Sequence, residues 1–276
     1  MILAIDIGNT NIVLGCADGD KILFRERLAT VQRETSLEYA VKIKAALDIN
    51  DIKRDDITGA IISSVVPSVT FTVKTAVEKL VDGRIMVVGP GIKTGLSIQI
   101  DNPAQLGSDL VVDAVAGIHE YPVPQVLIDM GTATTFSVID RNRTYIGGLI
   151  TTGVAVSADA LNSRTAQLPK IAYEKPKRVI CSNTVDCIKS GIMYSNACAI
   201  DGIIERIEEE LGEKTTVVAT GGLAQVVIPL CHHEIIYDDD LLLKGLMLIW
   251  NKKKKNKHTN LTIHKIPPDN RGDFCL

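Results

Sequence analysis

Two short segments in different halves of the chain have nearly the same sequence, and each lies between two apolar, strand-like runs. The first reads Asp-Ile-Gly-Asn-Thr-Asn at residues 6–11, and the second reads Asp-Met-Gly-Thr-Ala-Thr at residues 129–134. A glycine in such a turn lets backbone N–H groups approach a ligand closely, and Asn and Thr side chains add short hydrogen-bonding groups. The repetition predicts two β-hairpins that face each other and hold a polyphosphate between them.

Each segment on its own is also compatible with an ordinary hairpin turn, because Gly, Asn, Asp and Thr are common turn residues. A second copy in the same strand–turn–strand context argues against that simpler interpretation. The leading residues Asp6 and Asp129 each place a carboxylate at the end of a strand. A carboxylate in that position can hold a hydrated metal ion, so both aspartates are candidate metal ligands.

The overall composition excludes several classes of protein. The 276 residues are 46% hydrophobic and 23% charged, which is usual for a globular protein, and the net charge of −3 gives no general attraction to nucleic acid. The sequence contains no apolar run of membrane-spanning length and no basic region at its start, so we expect neither a membrane partner nor a signal peptide. The six cysteines form no CxxC pair, which favours reduced thiols and a cytoplasmic location.

The order of predicted elements suggests a duplicated α/β protein. In each half, three consecutive strands are followed by alternating helices and strands, and this is the layout of two related domains. We therefore predict one domain at residues 1–120, a second at 121–255, and a weakly ordered tail at 256–276. The first helix is expected at residues 37–47, after a capping-box pattern at 35–38, and the last helix at residues 239–250. The apolar stripe of the first helix is predicted to include Leu37 and Val41.

Three more segments complete a candidate site for phosphoryl transfer. Asp109, in Gly-Ser-Asp at residues 107–109, precedes an apolar helix and is placed to act as a general base, although it could also simply cap that helix. Glycines in the segment at residues 147–153 permit close approach of a ligand. The segment Ala-Thr-Gly-Gly at residues 219–222 could let an adenine ring lie against bare backbone, or it could be a plain strand-to-helix turn.

Together these segments resemble the type III pantothenate kinase family, within the acetate kinase–Hsp70–actin superfamily, over about residues 1–250. Residues 6–11 and 129–133 are similar to the two phosphate motifs of that family, residues 107–109 to its G-x-D-R motif, and residues 219–222 to its adenosine motif. The resemblance implies an α/β fold of duplicated ribonuclease H-like (actin-like ATPase) domains, each a mixed five-stranded sheet with flanking helices.

The resemblance also implies an activity, in which ATP phosphorylates pantothenate to 4′-phosphopantothenate in the first step of coenzyme A biosynthesis. It implies a homodimer, and it implies Mg²⁺ and a monovalent cation (K⁺ or NH₄⁺) as cofactors. Asp109 would be the catalytic base, Asp6 would hold Mg²⁺ through water, and Asp129 would bind K⁺. ATP and its phosphates would be bound by Asp6, Gly8, Asn9, Thr10, Asn11, Gly131, Thr132, Gly221 and Gly222. Pantothenate would be bound by Ile100, Gly107, Ser108, Asp109, Leu110 and Thr184.

Four positions depart from the family pattern, and three of them lie on the side that the family uses for pantothenate. Leu110 replaces the arginine of G-x-D-R, Ile100 replaces a usual tyrosine, Thr152 a usual proline and Ser195 a usual glycine. A leucine cannot pair with a carboxylate. Losing one charge-assisted hydrogen bond costs about 1.5–3 kcal/mol, or roughly ten- to hundredfold in affinity.

These departures leave two alternatives to a pantothenate kinase. One is a related small-molecule kinase with a changed acceptor, and the other is a non-catalytic nucleotide-binding regulator. The presence of Asp6, Asp109 and Asp129 argues against the regulator, because a protein that only binds nucleotide has no need of a base. The sequence leaves open whether the acceptor is pantothenate or another small molecule.

Overall fold

The structure is a computed structural model that describes residues 1–89, 92–165 and 168–263, with side chains as far as Lys253. Its strands are β1 (Ile2–Ile7), β2 (Asn11–Asp18), β3 (Lys21–Ala29), β4 (Gly59–Ser64), β5 (Arg84–Val87), β6 (Ser97–Ile98), β7 (Gln125–Met130), β8 (Ala133–Ile139), β9 (Thr144–Thr152), β10 (Thr216–Thr220) and β11 (Ile236–Tyr237). Its helices are α1 (Ser36–Ile49), α2 (Pro67–Glu78), α3 (Ser108–Glu120), α4 (Val154–Ser163), α5 (Thr184–Leu211), α6 (Ala224–Val227) and α7 (Leu241–Ile263).

Two mixed sheets repeat the same strand arrangement. The first has the order β3-β2-β1-β4-β5, and the second has the order β11-β10-β7-β8-β9-β6. In each, the first two strand pairs of the half are antiparallel, and the central strand, β1 or β7, then pairs in parallel with β4 or β10. The predicted duplicated α/β architecture is confirmed. The second sheet has six strands instead of the expected five, because the two-residue β6 from the first half joins its edge.

Helix α1 begins where the capping box predicts. The Thr35 side chain accepts a hydrogen bond from the Glu38 backbone, and the Glu38 carboxylate accepts one from the Thr35 N–H at 2.7 Å. The predicted buried stripe is wrong at two positions, since Leu37 and Val41 are 63% and 60% exposed. Tyr39 is buried in their place, because its hydroxyl both donates to and accepts from the Val31 backbone. The helix is therefore rotated relative to the pattern that its aliphatic residues suggest.

Helices α3 and α7 lie between the two sheets and join them. Helix α7 packs against the first sheet through a cluster that includes Leu246 and Trp250, and α3 packs against the second through Ala114 and Ala116. The two helices cross in close backbone contact, because a Cβ atom at Gly245 would lie 2.1 Å from the Val112 carbonyl oxygen. Each crossing helix thus packs on the sheet formed mainly by the other half of the chain.

Helix α7 continues to Ile263, well beyond its predicted end at residue 250. Residues 256–263 of the expected weakly ordered tail are therefore helical backbone, and residues 264–276 lie outside the described part of the chain. Within the described ranges, no helix combines the length and the apolarity needed to cross a bilayer.

Candidate active site

The two glycine-containing hairpins meet at their tips. The hydroxyl oxygens of Thr10 and Thr132 are 2.7 Å apart, although the two residues belong to different sheets. In the first hairpin the Gly8 N–H donates to the Asn11 carbonyl at 3.0 Å, and the Thr30 hydroxyl donates to the Gly8 carbonyl at 2.7 Å. The residue that follows β3 thus supports the first hairpin, and the predicted pairing of the two turns is present in the fold.

Two other glycine segments pack directly on the second hairpin. The Gly153 N–H donates to the Thr132 carbonyl at 3.1 Å, and a Cβ atom at Gly153 would come within 2.4 Å of that oxygen. Gly221 has a φ of +100°, and a Cβ atom there would lie 2.6 Å from the Met130 carbonyl oxygen. Only glycine fits at these two positions, and the predicted adenosine segment therefore lies beside the predicted phosphate segment.

All three predicted carboxylates lie in one cleft beside the two hairpins. Asp6 and Asp129 lie at the ends of the central strands β1 and β7, and Asp109 is the second residue of α3. Burial, together with the charges of Asp109 and Asp129, raises the pKa of Asp6 to about 8, although the Ser63 hydroxyl acts in the opposite direction. Burial and the charge of Asp109 raise the pKa of Asp129 to about 7, opposed by Arg27. Burial also raises the pKa of Asp109.

Crowded buried carboxylates of this kind favour cation binding. One oxygen of Asp6 is buried without a hydrogen-bond partner among the described residues, so it has an unsatisfied acceptor. No group of three or more His, Cys, Asp or Glu residues in the described ranges is arranged to hold a metal ion by itself. This donor set fits Mg²⁺, which usually keeps several waters and is bound through one or two carboxylates and substrate phosphates.

Asp113 is a fourth carboxylate of this cluster, and it lies outside the motif segments of the sequence. It follows Asp109 by one helical turn on α3, is only 2% exposed, and has one oxygen without a partner among the described residues. Burial and then the charges of Asp129, Asp109 and Asp6 raise its pKa well above the usual range. The available signal was the spacing, because residues four apart lie on one face of a helix, and Asp113 interrupts an otherwise apolar stripe.

The start of α3 shows how Asp109 is held. Gly107 occupies the position before the first helical turn and makes no side-chain cap, so Asp109 is not the capping residue. One Asp109 oxygen accepts a hydrogen bond from the Leu110 N–H at 2.8 Å. The Ser108 hydroxyl donates to the Ser64 carbonyl at 2.8 Å and so attaches α3 to the end of β4. A contact between Ser108 and a substrate stays a prediction.

Two predicted substrate residues, Ile100 and Thr184, lie outside the segments that carry the carboxylates. Ile100 is half-buried against an apolar cluster that includes Leu127 and Tyr145. Thr184 is the exposed first residue of α5 and lines an open groove of about 630 Å³ between α4 and α5, together with residues such as Leu161 and Cys187. The described residues that line this groove include none of the four carboxylates and none of the hairpin residues.

The sequence of this chain matches known proteins of one family. A family model described as type III pantothenate kinase matches residues 2–206. A type III pantothenate kinase from an Exiguobacterium species is 43% identical over 257 residues, covering 92% of this chain and 100% of that protein.

Solved structures with a similar fold are more distant in sequence. A Baf family protein from Campylobacter jejuni has a TM-score of 0.56 at 20% identity, covering 92% of this chain and 99% of that one. Component A of (R)-2-hydroxyglutaryl-CoA dehydratase from Acidaminococcus fermentans has a TM-score of 0.54 at 18% identity, covering 92% and 98%. At these identities the likeness concerns the fold alone, and it agrees with the duplicated actin-like ATPase architecture.

Proposed function

The chain belongs to the type III pantothenate kinase family, and from this membership we infer that it phosphorylates pantothenate with ATP in the first step of coenzyme A biosynthesis. The observation that supports this function best is the meeting of the two hairpins at Thr10 and Thr132. Turns rich in glycine and threonine that face each other across a cleft can surround a polyphosphate with backbone N–H and hydroxyl groups. Phosphoryl transfer depends mainly on such positioning and on charge neutralisation.

We propose specific roles for the carboxylates. Asp109 accepts the proton of the pantothenate hydroxyl, and its raised pKa makes it a stronger base than an exposed aspartate. Asp6 holds Mg²⁺ through water, and that ion offsets the charge on the phosphates during transfer. Gly8, Asn11 and Thr132 bind phosphate groups. We assign the remaining phosphate and nucleotide contacts to the neighbours of these residues in the same segments, Asn9, Thr10, Gly131, Gly221 and Gly222.

We propose that Asp129 binds a monovalent cation, K⁺ or NH₄⁺. The pKa of Asp129 is raised to about 7 because its charge is buried near that of Asp109, so a cation beside it would offset an unfavourable interaction. A single carboxylate combined with backbone carbonyls suits a large monovalent ion. Equal activity in Na⁺ and K⁺ buffers would count against this role.

We propose that the enzyme is a homodimer in which the second copy brings Thr184 to the site. Large apolar side chains in the second half of the chain are exposed, including Ile150 on β9 at 75% and Ile180, four residues before Thr184, at 85%. Exposed apolar side chains that form a contiguous patch mark interaction surfaces. Ile180→Asp should therefore shift the mass measured by light scattering toward that of a monomer. Phe71→Asp, at an exposed position on α2, is the matched control and should leave the mass unchanged.

We propose residues 1–120 and 121–255 as the two ATPase domains, linked by the crossing of α3 and α7. We also propose a cytoplasmic location, with no membrane or nucleic-acid partner, on the basis of the composition and the reaction.

Whether the acceptor is pantothenate or another hydroxy acid depends on Leu110. This residue follows the proposed base directly and cannot pair with the pantothenate carboxylate.

A coupled assay of ATP turnover tests the function and the acceptor together. Pantothenate should give much faster ADP release than a panel of other small hydroxy acids. A faster reaction with another hydroxy acid would favour the related kinase with a changed acceptor. No turnover with any acceptor would overturn the kinase assignment.

A further inference from the structure

We propose that Arg27 binds the phosphate chain of the nucleotide, reaching from the first sheet across the cleft to the glycine pair at the end of β10. This inference rests on the proposed use of ATP and adds a binding residue to that site. Neither the phosphate hairpins nor the other motif segments include Arg27, which lies near the end of β3, opposite Val13 of β2.

The Arg27 guanidinium lies between the two halves of the molecule. Its Nη2 atom is 3.1 Å from a carboxylate oxygen of Asp239, just before α7. Its Nη1 atom points at the glycine pair, because a Cβ atom at Gly222 would lie 2.5 Å from it. The charge of Arg27 also acts on Asp129 and offsets part of the rise in the pKa of that carboxyl. The guanidinium is therefore close to both the predicted adenosine segment and the end of the second phosphate hairpin.

Part of this guanidinium is available for a ligand. Among the described residues, only Asp239 accepts a hydrogen bond from Arg27, and it does so from Nη2. The Arg27 side chain is 39% exposed. Asp239 is also paired with Arg25, two residues earlier on β3. Asp239 therefore keeps a cationic partner if Arg27 turns toward a phosphate.

The charge of the cleft explains why such a residue is needed. Four carboxylates lie in the cleft, and a bound ATP adds a negatively charged phosphate chain. The segments at residues 6–11, 107–113, 129–134, 147–153 and 219–222 contain no lysine or arginine. Metal ions offset part of this charge, and Arg27 supplies a protein cation. Its planar fork of donors matches the oxygens of a phosphate.

The neighbouring Arg25 provides a matched control. Both arginines lie on β3 and pair with Asp239, but Arg25 also pairs with Asp240 at 2.6 Å and has no contact at Gly222. If the arginines only join the two halves of the molecule, Arg25→Gln and Arg27→Gln should weaken nucleotide binding to a similar extent. If Arg27 binds phosphate, only Arg27→Gln should do so.

The test measures binding of MgATP and of adenosine to the full-length chain by calorimetry, for wild type and both variants. Arg27→Gln should weaken MgATP binding about ten- to hundredfold, the usual range for one charged hydrogen bond, and should change adenosine binding less than threefold. Arg27→Lys should recover part of the loss, because it retains the charge without the fork. Arg25→Gln should stay within about threefold of wild type for both ligands.

Three results would overturn the role of Arg27. These are an unchanged MgATP affinity in Arg27→Gln, an equal loss in the two glutamine variants, and an equal loss for MgATP and adenosine. Circular dichroism melting of each variant separates these results from misfolding, and Arg27→Lys repeats the comparison if Arg27→Gln does not fold. Failure of wild type to bind MgATP would instead overturn the proposed function itself, and this inference with it.

Discussion

At the scale of single residues, the proposed role of Asp109 as the general base is the most direct to test. Asp109→Asn should lower turnover by about 10²–10⁴-fold, the usual cost of removing a general base. MgATP affinity should hardly change, because the Asp109 side chain bonds within α3 and makes no hydrogen bond to either hairpin. Steady-state kinetics and nucleotide titration check both expectations. A variant within a few-fold of the wild-type rate would show that another group accepts the proton.

Leu110 is the residue that tests substrate choice. Leu110→Arg should lower the KM for pantothenate, because a guanidinium can pair with the pantothenate carboxylate and leucine cannot. The KM for ATP should stay the same, since neither hairpin is altered. If the pantothenate KM is unchanged or higher, calorimetry of pantothenate with a non-hydrolysable ATP analogue decides between two explanations. Clear binding indicates a differently built pantothenate pocket, and no binding indicates a different acceptor.

At the scale of elements, the crossing of α3 and α7 should tolerate no added volume. A Cβ atom at Gly245 would lie 2.1 Å from the Val112 carbonyl oxygen, so Gly245→Ala should destabilise the fold by about 1–3 kcal/mol or more. Gly202→Ala is the matched control, because Gly202 lies within α5 and an added Cβ there has no neighbour within 4 Å. That change should be neutral or stabilising by up to about 1 kcal/mol. Urea unfolding of both variants provides the comparison, and equal stabilities would mean that the helices can separate slightly at no cost.

At the scale of the whole molecule, the buried carboxylates link folding to pH. Burial raises the native pKa of Asp6 to about 8 and that of Asp129 to about 7, against 3.8 for an aspartate in the unfolded chain. Between roughly pH 4 and 8 the native state therefore binds protons that the unfolded state has released, so stability should fall as the pH rises through this range. Without Mg²⁺ or K⁺, the melting temperature should decrease from pH 5.5 to 8.5.

Asp129→Asn is the control for this prediction, because it removes one of the buried carboxyl groups whose pKa is raised in the native state. Its melting temperature should decline less with pH than that of wild type, and adding Mg²⁺ and K⁺ to wild type should also reduce the decline. Differential scanning calorimetry at several pH values provides the measurement. Parallel pH profiles for wild type and variant would mean that Asp129 is not protonated in the native state.

Local patterns predicted much of this protein. The hairpin segments, the capping box at Thr35 and the alternation of strands and helices depend on residues near one another in sequence, and all are present in the fold. The two motif copies also predicted that the turns face each other, because a duplicated domain repeats its geometry. The buried face of α1 was predicted wrongly, since the hydrogen bonds of Tyr39 outweigh the aliphatic pattern of Leu37 and Val41.

The sequence by itself determined the duplicated α/β fold class and the two glycine-containing hairpins, because each depends on short-range spacing and on the turn chemistry of glycine. The role of Asp109 as a base stays a prediction. Only the tertiary structure decided that Asp113 joins the carboxylates, that α3 and α7 cross between the sheets, and that the Arg27 guanidinium lies against Gly222. These features join residues far apart in the chain, and a single sequence records no distance between such residues. Burial and the charges of neighbouring groups, which set the pKa values of the cleft, exist only after the two halves have packed together.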